Sequence, residues 1–344
     1  MKYEVIARTD QLTNDEWLDL RATGIGGSDL ASIYNESPWT SRYSLWAEKS
    51  GRVTRENKTN DAMEWGHFLE DAVAAKFAKE YDAVVVKWPV MLRSKKYPMM
   101  LANVDFFICH ITDANQHGFQ PGVVNLYTGA DEPTGILSIL EIKTNGIVGR
   151  SNFAAWQDTH VPRNYELQGL HYATVTGRDS VVFAALIAGE GLVVRGRVYG
   201  TEEMAECAER VSEFWSLVTT GTEPDTDGLD STHDTLAKMY PKHREGVTVE
   251  ADDFLLETFG AYVKAVEVEK QSTERVKELR ARLEVAIGDA EAMTSDGTTL
   301  FTYKATKDSE TFDAKAFREA NPELAAAYMK PKSGYRVLRV KGEA

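Results

Sequence analysis

Apolar positions along the 344-residue chain fall into two rhythms, a helical one near both ends and a strand-like one in the middle. Thr13-Asn14-Asp15-Glu16 reads as a capping box ahead of Trp17, Leu18 and Leu20, so a helix is predicted to start there and end near Gly24. Gly24-Ile25-Gly26-Gly27 then turns the chain into a second short helix capped by Ser28 or Asp29. Residues 41–49 and 60–81 predict two more helices. Strands are predicted over 84–92 and 99–108 as an antiparallel pair, then over 135–144, 181–188 and 192–199. Between them, residues 162–176 predict a helix that Pro162 opens and Gly177 stops. A helix over 202–218 closes this part. Residues 110–134 lack periodicity and are long for a strand connection, which predicts a functional flap or a disordered insert. Beyond a loop-rich stretch come a long helix over 251–288, a hairpin over 294–303 turning at Asp296-Gly297, a helix over 313–328 that Pro322 divides, and a last strand over 335–340. The expected class is α/β, with about five strands of mixed direction surrounded by helices. The expected domains are 1–221, a linker over 222–250, and a mainly helical extension with small β elements over 251–344.

Charges that break this pattern are the candidate chemistry. Residues 135–144 supply Ile136, Leu137, Ile139, Leu140 and Ile142 to a buried strand, yet Glu141 and Lys143 project from one face of it. Burying such a pair costs several kcal/mol per ion unless something compensates; a metal ion and a phosphate would. An exposed pair on an edge strand is the plainer alternative. Asp105 is a lone acid among the apolar residues of 101–108. Glu70 falls in the apolar stripe of its helix, within roughly 60° of Met63, Gly66, Val73, Ala74 and Phe77. A glutamate there calls for either a metal or a basic partner. Two acids on neighbouring strands with a lysine two residues after the second suit Mg²⁺, which takes few carboxylates and keeps water and phosphate oxygens.

Asp105 with Glu141-Ile142-Lys143 resembles the PD-(D/E)XK nuclease signature, although Val104 stands where that signature has proline. Four further segments sharpen the likeness: Arg21 to Asp29 with its glycines, Ser37-Pro38-Trp39, Trp65-Gly66-His67-Phe68-Leu69-Glu70, and Gln168-Gly169-Leu170-His171-Tyr172. In that order, over about the first 220 residues, they resemble the YqaJ-like viral recombinases, the phage lambda-type exonucleases. The resemblance implies a restriction-endonuclease-like core and a 5′→3′ exonuclease on linear double-stranded DNA, acting in recombination. It implies Mg²⁺, with Mn²⁺ as the alternative, held by Asp105, Glu141, the Ile142 carbonyl and Glu70. Lys143 would orient or activate water, Gln168 would support it, and Tyr172 would position. Arg21 and Ser28 would take a 5′-phosphate; without the resemblance they read first as an ordinary helix–turn–helix corner with a surface arginine. A toroidal trimer and a single-strand annealing protein are the implied partners. An endonuclease of the resolvase or restriction type, and a noncatalytic DNA-end-binding scaffold, are the other readings.

Composition qualifies this in two ways. A net charge of −14 opposes nonspecific duplex affinity, so DNA must meet a local basic lining helped by divalent metal. Cys109 and Cys207 lack CxxC spacing, which supports neither a disulfide framework nor a zinc or iron–sulfur site. Without a leader or membrane-length apolar run, a soluble, cytoplasmic protein is expected.

Overall fold

The computed structural model describes residues 2–54, 61–145, 156, 160–187, 191–330 and 334–340. Asn60 and Ala188, end residues of two expected elements, lie outside them. The chain forms two compact units, residues 1–240 and 241–344.

The first unit opens on β1 (Tyr3–Arg8), an element the apolar pattern did not predict. The helix α1 (Asn14–Ala22) starts as expected, with Thr13 accepting from the Glu16 N–H and Glu16 reaching back to the Thr13 N–H at 2.8 Å. After a 3-10 turn come α2 (Leu30–Ile33), α3 (Arg42–Lys49) and α4 (Asp61–Glu80).

Each of the two expected strands that follow is broken in two. Trp88-Pro89 separates β2 (Val84–Lys87) from β3 (Val90–Ser94), and residues 103–105 separate β4 (Leu101–Ala102) from β5 (Phe106–Cys109). Proline cannot donate to a ladder, and the chain changes sheets there. β1, β3 and β4 form a small antiparallel sheet, while β2 and β5 enter the large one. Asp105 therefore lies at the exit of a sheet switch rather than in the middle of a strand.

The 110–134 stretch is built, which corrects the expectation of a disordered insert. It carries α5 (Ile111–Ala114), a 3-10 turn and β6 (Val124–Leu126), which joins the large sheet parallel to β2. Phe119 is buried, and Tyr127 meets the Trp88 ring at a tilt and the His117 ring edge-on, giving the segment its own apolar anchor. Then β7 (Ile136–Asn145), α6 (Arg163–Thr176), β8 (Ser180–Ile187), β9 (Gly191–Val198), α7 (Thr201–Thr220) and α8 (Asp230–Met239) complete the unit. The large sheet has six strands in the order β6-β2-β5-β7-β8-β9, with β2–β6 and β7–β8 parallel and the other pairs antiparallel.

The sheet is covered on both faces. Val73, Ala74, Phe77 and Ala78 of α4 pack on Val85, Phe106, Leu140, Ile142 and Ala184. The other face meets α6, whose Leu167, Leu170 and Ala173 join the main core with Ile139, Val181 and Phe183. The expected class therefore holds: α/β, a mixed sheet flanked by helices. The unit runs past Thr222 because α8 is anchored, with the Thr235 hydroxyl donating to Ser44 at 2.9 Å and the Ser44 hydroxyl to the Ser231 carbonyl at 2.8 Å.

The second unit contains α9 (Asp253–Ile287), the hairpin β10 (Ala292–Ser295) and β11 (Thr298–Thr302), then α10 (Ala314–Ala320) and α11 (Pro322–Ala327), split at Pro322 as expected. Residues 335–340, expected as a last strand, form none: among the described residues nothing pairs with their backbone as a ladder. Among the described residues no helix is long and apolar enough to cross a membrane.

Candidate active site

β7 runs between β5 and β8, so alternate side chains face opposite helix layers. Leu140 and Ile142 turn towards α4, and Glu141 turns towards α6. Glu141 is 1% exposed. Its Oε1 accepts from Lys143 Nζ at 2.5 Å and from Gln168 Nε2 at 2.6 Å. Its Oε2 is buried and has no hydrogen-bond partner among the described residues. The exposed-pair alternative for Glu141 and Lys143 is thereby excluded. Burial, then the charge of Asp105, pushes the Glu141 carboxyl up to about 8, against the opposing pull of Lys143. Burial alone would lower the Lys143 ammonium, but Glu141 and Asp105 more than reverse this and keep it cationic. Its Nζ also lies 5.0 Å from the centre of the Tyr165 ring, a cation–π contact.

Asp105 enters this group through the sheet switch. Phe106 pairs with Leu140, and with residues 103–105 out of the ladder the Ile142 N–H is left to the Asp105 side chain, donating to Oδ2 at 2.9 Å. A carboxylate thus replaces a backbone acceptor where β5 leaves β7. Burial raises the Asp105 carboxyl above its usual range even though Lys143 and this N–H oppose it.

Glu70 approaches from the α4 layer. Four residues before it, a Cβ on Gly66 would stand 3.4 Å from the Thr144 hydroxyl, which is how close the helix comes to the end of β7. His67 Nδ1 lies 3.1 Å from Glu70 Oε1. Burial and then Asp105 raise the Glu70 carboxyl, with His67 opposing. No three His, Cys, Asp or Glu side chains among the described residues form a ready-made ligand cage. Yet Asp105 disfavours the charge of both Glu70 and Glu141, Glu70 adds to this at Glu141, and Glu141 Oε2 is buried without a partner among the described residues. Hard oxygen donors with surplus negative charge are what a divalent cation of the Mg²⁺ type would satisfy.

Gln168 and Tyr172 share a face of α6, and Gln168 Nε2 also donates to the Tyr172 hydroxyl at 3.1 Å. Burial, then Glu141 and Asp105, raises the Tyr172 phenol well above its usual value, so it stays neutral. The glycine turn packs directly on this pair. A Cβ on Gly27 would meet the Tyr172 ring at 2.6 Å and Gln168 Cγ at 3.0 Å. Gly27→Ala should therefore cost about 1–3 kcal/mol through overpacking, whereas Ser28→Ala at the next, exposed position should stay within about 0.5 kcal/mol. Denaturant unfolding of the two variants checks the contrast.

Arg21 is buried beneath the same turn. Its guanidinium donates to both Asp29 oxygens, at 2.9 and 3.2 Å, and to the Ser28 hydroxyl oxygen at 3.2 Å. Lys49, its ammonium covered, donates to the Arg21 carbonyl at 2.9 Å and pairs with Asp29 at 3.3 Å. Burial works against the Asp29 charge, but Arg21 and Lys49 win and hold the carboxyl far below its usual range. Two cations, Arg21 and Lys49, thus surround this carboxylate, and the charge of Glu48 acts on both of them as well. Sequence reasoning named Arg21 and Ser28 but missed Asp29 and Lys49 as their partners, and His67 beside Glu70. Asp29 adjoins Ser28 and could have been weighed with it; Lys49, 28 residues from Arg21, gave no signal.

Residues 16–179 match the model of the YqaJ-like viral recombinase domain. The chain is 28% identical over 292 residues to the uncharacterized protein YqaJ of Bacillus subtilis, covering 84% of this chain and 82% of that protein. Two crystal structures of LHK-Exo, an alkaline exonuclease from Laribacter hongkongensis, are similar at TM-scores of 0.47 and 0.46 with 18% and 17% identity. They cover 60% and 66% of this chain and 94% and 100% of the exonuclease chains. The matched stretch carries Arg21, Glu70, Asp105, Glu141, Lys143 and Gln168, so each of these residues lies where the chain is similar to the YqaJ-like viral recombinase domain.

Proposed function

We propose that the chain is a divalent-metal-dependent exonuclease that digests linear double-stranded DNA from its 5′ end and leaves 3′ single-stranded tails. The observation that carries this reading is the buried group of Asp105, Glu141, Lys143 and Gln168 around an unpartnered carboxylate oxygen. Asp105, Glu141, the Ile142 carbonyl and Glu70 are the residues that would hold Mg²⁺, or Mn²⁺ in its place. When bound, such an ion lowers the pKa of water and offsets charge on the phosphate. Lys143 is the proton-bearing cation at hand to orient an attacking water or steady a phosphate oxygen. Gln168 fixes Glu141 Oε1, and Tyr172 fixes Gln168 while staying neutral. Because the Ser28 oxygen accepts from Arg21, its own proton is free to go to a terminal phosphate. Arg21 and Lys49 are the cations at hand for that anion, and the turn's contact with Tyr172 ties the anchored end to the carboxylates.

On this reading the protein works on DNA ends in the cytoplasm of a bacterial host, assembles as a ring of three, and hands its product to a single-strand annealing protein.

Digestion of linear duplex with and without a 5′-phosphate, beside a covalently closed circle, tests the activity. With Mg²⁺, faster loss of the phosphorylated linear DNA and an intact circle are expected, and Lys143→Ala should abolish cutting. A cleaved circle would make the protein an endonuclease. Bound duplex that persists uncut would make it an end-binding scaffold.

A further inference from the structure

Lys87 ends β2 immediately before Trp88-Pro89, at the point where the chain leaves the large sheet. Its ammonium pairs with Asp71 Oδ1 at 2.5 Å and lies 5.4 Å from the centre of the Phe106 ring. Asp71 follows Glu70, and Phe106 follows Asp105. The cation is thus held between the chain neighbours of two of the three carboxylates, on the α4 side of the sheet, while Lys143 pairs with Glu141 on the α6 side. Its charge reaches the site, since it is among the causes that hold down the Glu70 and Asp105 carboxyls.

Among the described residues, the other cations named in the site are committed. Lys143 is bound to buried Glu141, and Arg21 and Lys49 are bound to Asp29. Lys87 differs because its side chain is 33% exposed and its partner Asp71 is 64% exposed. An ion pair so open to water is worth about 0–1 kcal/mol and exchanges easily. In a chain with a net charge of −14, a cation available at the edge of an acidic site is where a phosphodiester strand finds its counter-charge.

We propose that Lys87 is a second phosphate-contacting cation of the site, releasing Asp71 to take a phosphate oxygen of the DNA strand lying across Glu70 and Asp105. This rests on the nuclease reading above. Its test is duplex binding rather than turnover: a 5′-phosphorylated linear duplex titrated in Ca²⁺, with the DNA checked to remain intact, across roughly 50 to 200 mM salt. Removing one phosphate contact should reduce the slope of log K against log salt by about 1. Lys87→Gln and Lys87→Met should both show this, the methionine keeping the stem against Phe106, whereas Lys87→Arg should retain the slope. Asp71→Asn should tighten binding roughly two- to fivefold, the scale of an exposed ion pair. A wild-type slope in both neutral variants, or weaker binding by Asp71→Asn, overturns the Lys87 assignment while leaving a chain that still digests DNA. A wild-type chain that neither binds nor cuts duplex overturns the nuclease reading and this contact together.

Discussion

Glu141→Gln should lower the rate of DNA digestion by at least about 10²–10³-fold, the scale of losing one preorganised charge-stabilising group, and yet stabilise the chelator-treated protein at high pH. The two effects have one cause. Glu141 is buried with one oxygen unpartnered, and its carboxyl titrates near 8 through burial first and Asp105 second. An unfolded glutamate titrates near about 4.3. Between those values the folded chain holds a proton that the unfolded chain has lost, so stability falls as pH rises through this window and stays low above it. Glutamine cannot ionise and should remove the decline. A tenfold difference in proton affinity between folded and unfolded chains is worth about 1.4 kcal/mol. The variant should therefore exceed the wild type by a few kcal/mol at pH about 9 and match it near pH about 5. Thermal unfolding with chelator at the two pH values decides this. Parallel wild-type and variant profiles would mean that Glu141 is charged and compensated without a cation, removing the strongest argument for a metal.

Local signals made much of this legible in the sequence. The Thr13 capping box, the Gly177 helix stop and the Asp296-Gly297 turn act within a few residues, and each sits at the expected boundary. Glu141 and Glu70 could be singled out because a charge inside an apolar stripe must be compensated wherever the stripe packs. What was missed depends on pairing between distant segments. β1 is too short to declare itself until β3 pairs with it. The breaks at Trp88-Pro89 and at residues 103–105 follow from a change of sheet, which no local period encodes. The 110–134 stretch looked structureless because β6 is a three-residue strand whose stability comes from β2. Lys49 and Lys87 meet Asp29 and Asp71 only after folding, 20 and 16 residues away along the chain.

Arg21→Ala should cost about 3–5 kcal/mol of stability, the range for removing one partner of a buried ion pair, or roughly 6–20 °C in melting temperature for a unit of this size. Asp29 would keep only Lys49 and the Gly26 N–H, in a place where burial already works against its charge. Ser28→Ala leaves that pair intact and, being exposed, should hardly change melting. The two variants therefore separate folding from phosphate recognition: both should lose the preference for a phosphorylated 5′ end, and only the first should unfold early. Arg21→Lys should recover part of the stability but little of the preference, because an ammonium cannot reproduce the fork that meets both Asp29 oxygens and Ser28 together. If Ser28→Ala and Arg21→Lys, both folded, kept the full preference for a phosphorylated end, the cations around Asp29 would be scaffolding for the turn against Tyr172. The terminal phosphate would then have to be held elsewhere.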